Sequence, residues 1–170
     1  MMHRPGRHVL LLAMLLCGAL LLAGCGFQPR GQALNLSAIP DPIHIAGIAP
    51  HSPLARELRR QFQQAGVGIA DNAADSASVL RISRRDSDSR VLSVDSRNKA
   101  VEYELEESAR FALYDSGGEE RVPPQTVRAL RILKRPPDAI LGADREKDLL
   151  RADMRRDLAE RIARRLSAQL

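Results

Sequence analysis

Cysteine, aromatic residues and lysine are scarce in this chain of 170 residues. The two cysteines, Cys17 and Cys25, both lie near the N-terminus, so a network of disulfides cannot hold the fold. Tryptophan is absent, and there are only three phenylalanines and two tyrosines. The core must therefore consist mainly of Leu, Ile, Val and Ala, and few rings are available to stack on nucleic-acid bases.

Arginine is the main source of positive charge, because lysine occurs only at Lys99, Lys134 and Lys147. Guanidinium groups bind phosphates and carboxylates bidentately, which suits a phosphate-bearing or acidic partner. A GC-rich genome, which encodes arginine where others encode lysine, explains the same bias. For most single positions a solvated surface arginine is the simpler interpretation.

The N-terminus has the pattern of a lipoprotein signal. Basic residues precede an uncharged apolar run, which ends in Leu-Ala-Gly-Cys at 22–25. The run is too short to span a membrane, which takes about 20 residues. The pattern predicts a signal peptide over 1–24 and a mature chain that begins at Cys25, with S-diacylglycerol and N-acyl lipid on that residue. The alternative is an ordinary signal peptide with a chance cysteine.

The predicted mature chain is exported and tethered to a membrane surface, where several acyl chains on one residue give stable anchoring. Gly26 follows the cysteine; in Gram-negative lipoproteins an aspartate there commonly retains the protein in the inner membrane, so its absence favours the outer membrane. The remaining residues are enough for one domain. We expect a tether over 25–40 and a single domain over 41–170.

Hydrophobic periodicity predicts two helices. Ser52 and Pro53 are a good N-cap and a good first helical residue, and Gly66 is suited to end that helix. A long helix is expected over 144–168, where apolar residues recur every four positions. This stripe is typical of a core-facing helix, with a membrane-binding helix as the alternative.

Alternation predicts a short strand over 42–48 and three later strands. In the second, a polar stretch over 84–90 either interrupts the strand or is the solvated middle of one long strand. Residues 101–114 give the clearest strand, and Glu107 breaks its apolar face, which indicates a bulge. The last strand is expected over 125–134.

This order, β-α-β-β-β-α, predicts an α+β fold. We expect a two-layer sandwich with two helices packed on a mainly antiparallel four-stranded sheet. The other face of such a sheet can remain wet. Glu102, Glu104 and Glu106 share that face and are interpreted as solvated residues rather than as paired catalytic carboxylates.

Several motifs in one order resemble the family of LPS-assembly lipoproteins called LptE. They are Cys-Gly-Phe-Gln-Pro-Arg-Gly at 25–31, Arg97-Asn98 followed by Glu102-Tyr103, the segment 137–144, and Met-Arg-Arg-Asp at 154–157. The resemblance covers nearly the whole mature chain. It implies a one-to-one complex with the LptD β-barrel of the outer membrane, in which the lipoprotein plugs the lumen, supports folding of the barrel and helps to deliver lipopolysaccharide.

The resemblance also implies a basic site for the phosphates of lipid A. Arg97 matches the basic tip of a hairpin, with Lys99 and Arg90 near it; the alternative for Arg97 is a solubilising surface residue. Relatives often carry lysine where this chain has Ala143. Lys134 and Arg145 are the candidate residues to compensate for that difference, and with the other three they complete the candidate lipopolysaccharide site.

Catalysis has little support in the sequence. The mature chain keeps His44 and His51, which do not have the spacing of metal ligands, and it has neither a nucleophile elbow nor a glycine-rich phosphate loop. We therefore expect no enzyme, no metal and no cofactor beyond the covalent lipid. Nucleic-acid binding is also not expected. The alternative function is a stand-alone lipoprotein that binds lipid or cell-wall material.

Overall fold

The computed structural model describes residues 36–135 and 140–170. In chain order, the elements in these residues are β1 (Ile43–Ala46), α1 (Pro53–Gln64), β2 (Ile69–Ala70), β3 (Ser78–Val94), β4 (Ala100–Asp115), β5 (Glu120–Lys134) and α2 (Ile140–Gln169). The predicted signal peptide, Cys25 and most of the predicted tether lie outside the described residues.

The strands form one mixed sheet in the order β2-β1-β3-β4-β5. β1 runs parallel to β2 and β3, whereas β3, β4 and β5 are antiparallel. The α+β class with two helices is confirmed, but the prediction of four mainly antiparallel strands is wrong. β2 has only two residues and carries no detectable alternation, and α1 returns the chain as a crossover that makes β1 and β2 parallel.

β3 is one continuous strand, which decides between the two alternatives for its polar middle. β1 pairs with β3 only between Ser78 and Arg81. Beyond Arg81, β3 continues with β4 and β5 as a long antiparallel arm that ends in the β3–β4 turn. The residues of β3 in this arm are largely exposed because no strand covers their free edge.

The core lies between the two helices and one face of the sheet, which we call the inner face. In α1, Ser52 accepts a hydrogen bond from the N–H of Ala55 at 3.3 Å and caps the helix. The apolar side chains that the periodicity predicts are buried, and burial of each stabilises the fold by about 1.5–3 kcal/mol. They are Leu54, Leu58 and Phe62 of α1, Met154, Leu158, Ile162 and Leu166 of α2, and Leu80, Leu105, Phe111 and Leu113 of the sheet.

Glu107 does not mark a bulge, and that prediction is wrong. It lies in register with Ser87 on β3 and Ala129 on β5, and the register shifts of the sheet occur elsewhere. Glu107 keeps its place on the inner face because Arg151 of α2 pairs with its carboxylate there. The interruption of the apolar pattern is thus a buried ion pair.

Candidate functional site

The antiparallel arm leaves one face free of helices, which we call the outer sheet face. Successive side chains along each strand point to opposite faces, so every second residue of the arm lies on the outer sheet face and the others face α2. Among the described residues of the arm, basic and acidic side chains occur there in equal number. The basic ones are Arg84, Arg90, Arg110, Arg128 and Lys134, and the acidic ones are Asp86, Asp88, Glu102, Glu104 and Glu106.

Neighbouring charges on the outer sheet face are paired. Arg90 Nε lies 2.7 Å from Glu104 Oε1, and this hydrogen bond raises the pKa of Arg90. Arg128 Nε lies 3.5 Å from Glu106 Oε1. A groove of about 360 Å³ runs across this part of the face and is lined by residues of both signs. The face therefore offers many polar contacts but little net charge.

Two apolar side chains of β5 interrupt these charges. Leu130 and Ile132 are 49% and 57% exposed on the outer sheet face. Val91 and Val94, close to the β3–β4 turn, are each 51% exposed. Leu130 and Ile132 bring apolar area to an otherwise charged face, so a partner would meet a mixture of polar and apolar contacts there. Val91, in register with Tyr103, is exposed on the opposite side of the arm.

The β3–β4 turn, which we call the hairpin tip, is organised by Asp95. Its Oδ1 accepts hydrogen bonds from the backbone N–H of Arg97 at 2.8 Å and of Lys99 at 2.9 Å. These bonds, the Lys99 one first, hold the pKa of Asp95 below its usual value. Asn98 takes a left-handed conformation at φ 59°, which asparagine tolerates well. The tip is thus a defined loop.

The basic residues predicted to meet phosphate are only partly brought together. Arg97 and Lys99 lie at the hairpin tip, and Arg90 and Lys134 lie on the outer sheet face behind it. Arg145 lies on α2, the helix that packs on the inner face.

Three basic residues of that group already have an acidic neighbour, and Arg90 has Glu104. The guanidinium of Arg97 is 3.3 Å from Asp95 Oδ2, and Lys134 lies in register with Glu102. Sequence reasoning missed Asp95, although an aspartate that opens a turn two residues before Arg97 is the usual signal of an Asx turn.

Ala143 occupies the position where relatives often carry lysine. Its side chain is buried, at 4% exposed, so the neighbouring side chains would have to move for a lysine there to reach solvent with its charged end. Lys134 and Arg145 remain the predicted compensating residues.

The described part of the chain has neither a cluster of metal ligands nor a helix suited to span a membrane. Residues 36–135 and 140–170 contain no group of three potential ligands that could hold a metal ion. His44 instead places Nδ1 3.1 Å from the carbonyl oxygen of Ala70, next to the β1–β2 pair. None of the helices described is both long and apolar enough to cross a membrane.

The family profile of LptE, described as lipopolysaccharide-assembly, matches residues 41–166. This match covers α1, the whole sheet, the hairpin tip and all but the last three residues of α2. The chain belongs to the LptE family. The resemblance to this family that the sequence motifs suggested is confirmed.

Relatives of this LptE-family chain agree in sequence and in fold. The LPS-assembly lipoprotein LptE of Pectobacterium atrosepticum is 29% identical over 161 residues, which are 94% of this chain and 86% of that protein. The solution structure of lipoprotein B from Nitrosomonas europaea superposes with a TM-score of 0.68 at 25% identity, covering 84% of this chain and 91% of that one. The crystal structure of rare lipoprotein B from Shewanella oneidensis gives 0.65 at 26% identity, covering 75% and 95%.

Proposed function

We propose that this LptE-family chain is an outer-membrane lipoprotein of lipopolysaccharide assembly that works as a binding and structural subunit, not as an enzyme. The observation that carries the proposal is the family match over 41–166, supported by a relative named for LPS assembly that aligns with 94% of the chain. The lipid on Cys25 would hold the protein at the periplasmic side of the outer membrane.

The partner in this proposal is an LptD β-barrel, in a one-to-one complex in which the lipoprotein plugs the lumen and supports folding of the barrel. Inward positions of membrane barrels that enclose water are polar. The outer sheet face suits such an environment because it carries equal numbers of basic and acidic side chains. It can therefore pair with residues of either sign without burying a large net charge.

The hairpin tip is the proposed point of contact with lipopolysaccharide. Arg97 and Lys99 project from a loop whose backbone Asp95 holds, with Arg90 and Lys134 behind them. Phosphate oxygens would compete with Asp95 for the guanidinium of Arg97, because charge-assisted hydrogen bonds to phosphate are among the strongest that arginine makes. Arg145 contributes only if the lipid reaches around the edge of the sheet to α2.

Depletion of the protein in its native host tests the function. We expect the amount of folded barrel to fall and lipopolysaccharide to stop reaching the cell surface, and both should return when the wild-type chain is supplied. A Cys25→Ala chain should be expressed without lipid and should not anchor. If depletion leaves barrel and surface lipopolysaccharide unchanged, the chain acts as a stand-alone lipoprotein instead.

A further inference from the structure

A second basic surface lies far along the sheet from the hairpin tip. It is a cleft of about 460 Å³ between β5 and the last turns of α2, which we call the arginine cleft. It is lined by Gln125, Val127, Arg128, Arg161, Arg164, Arg165, Ala168 and Gln169. Four arginines and two glutamines thus line it, and none of its lining residues is acidic.

Each arginine of the cleft already has a partner on one side. Arg164 pairs with Glu160 of α2, and Arg128 pairs with Glu106 on the outer sheet face. Arg165 Nη1 donates to Gln125 Oε1 and to the Thr126 carbonyl oxygen, both at 3.0 Å. Arg161 donates through Nε and Nη2 to Asp157 at 2.6 and 3.1 Å. Because a guanidinium carries five N–H donors, these bonds fix its position and leave other donors for a ligand.

The end of the cleft is closed by an amide pair. Gln125 Nε2 donates to Gln169 Oε1 at 3.0 Å, and Gln169 Nε2 lies 3.3 Å from Gln125 Oε1. This pair joins β5 to the last turn of α2 and fixes the distance between the arginines that the two elements carry. The cleft is therefore held in shape before any ligand enters, which lowers the entropic cost of binding.

Neutralisation of the helix dipole does not account for the whole arrangement. Arginines near the C-terminus of α2 interact favourably with its last carbonyls. Arg165, however, crosses to the edge of β5, where its partners are Gln125 and the Thr126 carbonyl oxygen. Guanidinium groups of a helix beside an amide donor of a strand can together match the several oxygens of one tetrahedral anion.

We propose that the arginine cleft binds a phosphate monoester group carried by a sugar or by a lipid headgroup. Its volume falls in the range of small-ligand sites, about 300–1,000 Å³. The lining supplies guanidinium groups for phosphate and amides for hydroxyls. The proposal rests on the geometry of the cleft alone, so it does not depend on the barrel partnership or on the hairpin tip.

The test uses the full-length lipoprotein in neutral detergent micelles. Three probes are titrated by calorimetry: inorganic phosphate, glucose 1-phosphate, and micelles that contain phosphatidic acid, with phosphatidylcholine micelles as the blank. We expect binding of at least one phosphate probe, with Kd about 1 mM or tighter. Preference for the sugar phosphate or for the lipid identifies the source of the group.

A charge-matched pair of variants shows whether the phosphate probe binds in the arginine cleft. Arg164→Gln/Arg165→Gln should weaken it about tenfold or more, because charge-assisted hydrogen bonds are lost. Arg56→Gln/Arg60→Gln on α1 removes the same charge and should leave it unchanged. Arg164→Lys/Arg165→Lys, which keeps the charge, should bind with intermediate affinity. This variant replaces the glutamine variant in the test if the latter fails to fold.

The proposal is overturned if no phosphate probe binds, if the cleft and α1 variants lose affinity equally, or if the cleft variants bind as the wild type does. Loss of an acidic protein partner from the cleft variant, with no change in phosphate binding, would also overturn it and would identify the cleft as a docking site for that protein. These outcomes do not depend on whether the chain co-purifies with a barrel.

Discussion

The carboxylate of Glu107 on β4 accepts a hydrogen bond from Nη1 of Arg151 on α2 at 2.8 Å. Only 5% of the Glu107 side chain and 17% of the Arg151 side chain are exposed. Ser87 Oγ on β3 donates to the same carboxylate at 3.0 Å, and Arg155 Nη1 lies 3.8 Å away. One buried carboxylate therefore joins two strands of the arm to the long helix.

Substitution Glu107→Ala should lower the free energy of unfolding by about 2–4 kcal/mol, because it leaves two arginines without their carboxylate at a largely dry interface. The partial exposure of Arg151 reduces this cost below that of a fully buried pair. Urea denaturation of the full chain in detergent measures the loss. The control is Glu106→Ala, the next residue, whose side chain is 37% exposed on the outer sheet face and should cost about 1 kcal/mol or less. Equal losses in the two variants would contradict a special role for Glu107.

Asp157 should make part of the stability depend on acidity. The hydrogen bond from Arg161 is the main cause that lowers the pKa of Asp157, and the charges of Arg161 and Arg131 add to it. A carboxyl whose pKa is lower in the folded state stabilises the fold when ionised. This contribution is complete well above the ordinary pKa of 3.8 and is lost as the pH falls through the folded pKa.

The variant Asp157→Asn tests this dependence. The difference in unfolding free energy between wild type and variant should be largest near neutral pH and should shrink below about pH 4. Asp71→Asn is the control, because Asp71 is 96% exposed and lies 3.8 Å from its nearest partner, Arg59. A wild-type to Asp157→Asn difference that stays constant from pH 7 to pH 3 would refute the assignment.

Gly47 should tolerate no side chain. It follows β1 at φ +84°, and a Cβ there would lie 2.1 Å from the carbonyl oxygen of Ile82. We expect Gly47→Ala to lower the free energy of unfolding by about 3 kcal/mol or more, since strain and overlap add. Gly118→Ala has the same kind of φ, +85°, but open space around the Cβ, and should cost about 1–2 kcal/mol. Thermal unfolding of both variants gives the comparison, and a smaller loss at Gly47 than at Gly118 would contradict it.

The hairpin tip should matter for lipopolysaccharide and not for folding. Arg97→Glu/Lys99→Glu reverses two charges at an exposed loop while the backbone bonds to Asp95 remain available. We expect affinity for lipopolysaccharide to fall about tenfold or more, with an unchanged unfolding midpoint. Arg56→Glu/Arg60→Glu on α1 is the charge-matched control. If binding is the same in both variants, the hairpin tip is not the site.

Much of the fold follows from patterns that the sequence displays. The four-residue recurrence of Leu158, Ile162 and Leu166 predicts the core-facing side of α2, and these residues are buried as expected. Ser52 and Pro53 predict the start of α1 because capping chemistry is local. Local features of this kind act within one turn or one strand, so a single sequence reveals them.

The rest depends on contacts between distant parts of the chain. β2 is two residues long and exists because Ile43 and His44 of β1 offer it a parallel partner. Glu107 breaks an alternating pattern in a way that suggests a bulge, and only the position of Arg151, 44 residues later, explains why the register continues. The arginine cleft likewise needs β5 and the end of α2 to meet, which no local motif indicates.

Affinity purification of the full-length lipoprotein from detergent-solubilised outer membranes tests the central claim most directly. We predict that one large β-barrel co-purifies in a one-to-one ratio and withstands high salt, since balanced and partly apolar contacts are less sensitive to screening than a single-sign surface. Recovery of the lipoprotein alone, from membranes in which the barrel is present and folded, would contradict the account and would favour a stand-alone lipoprotein.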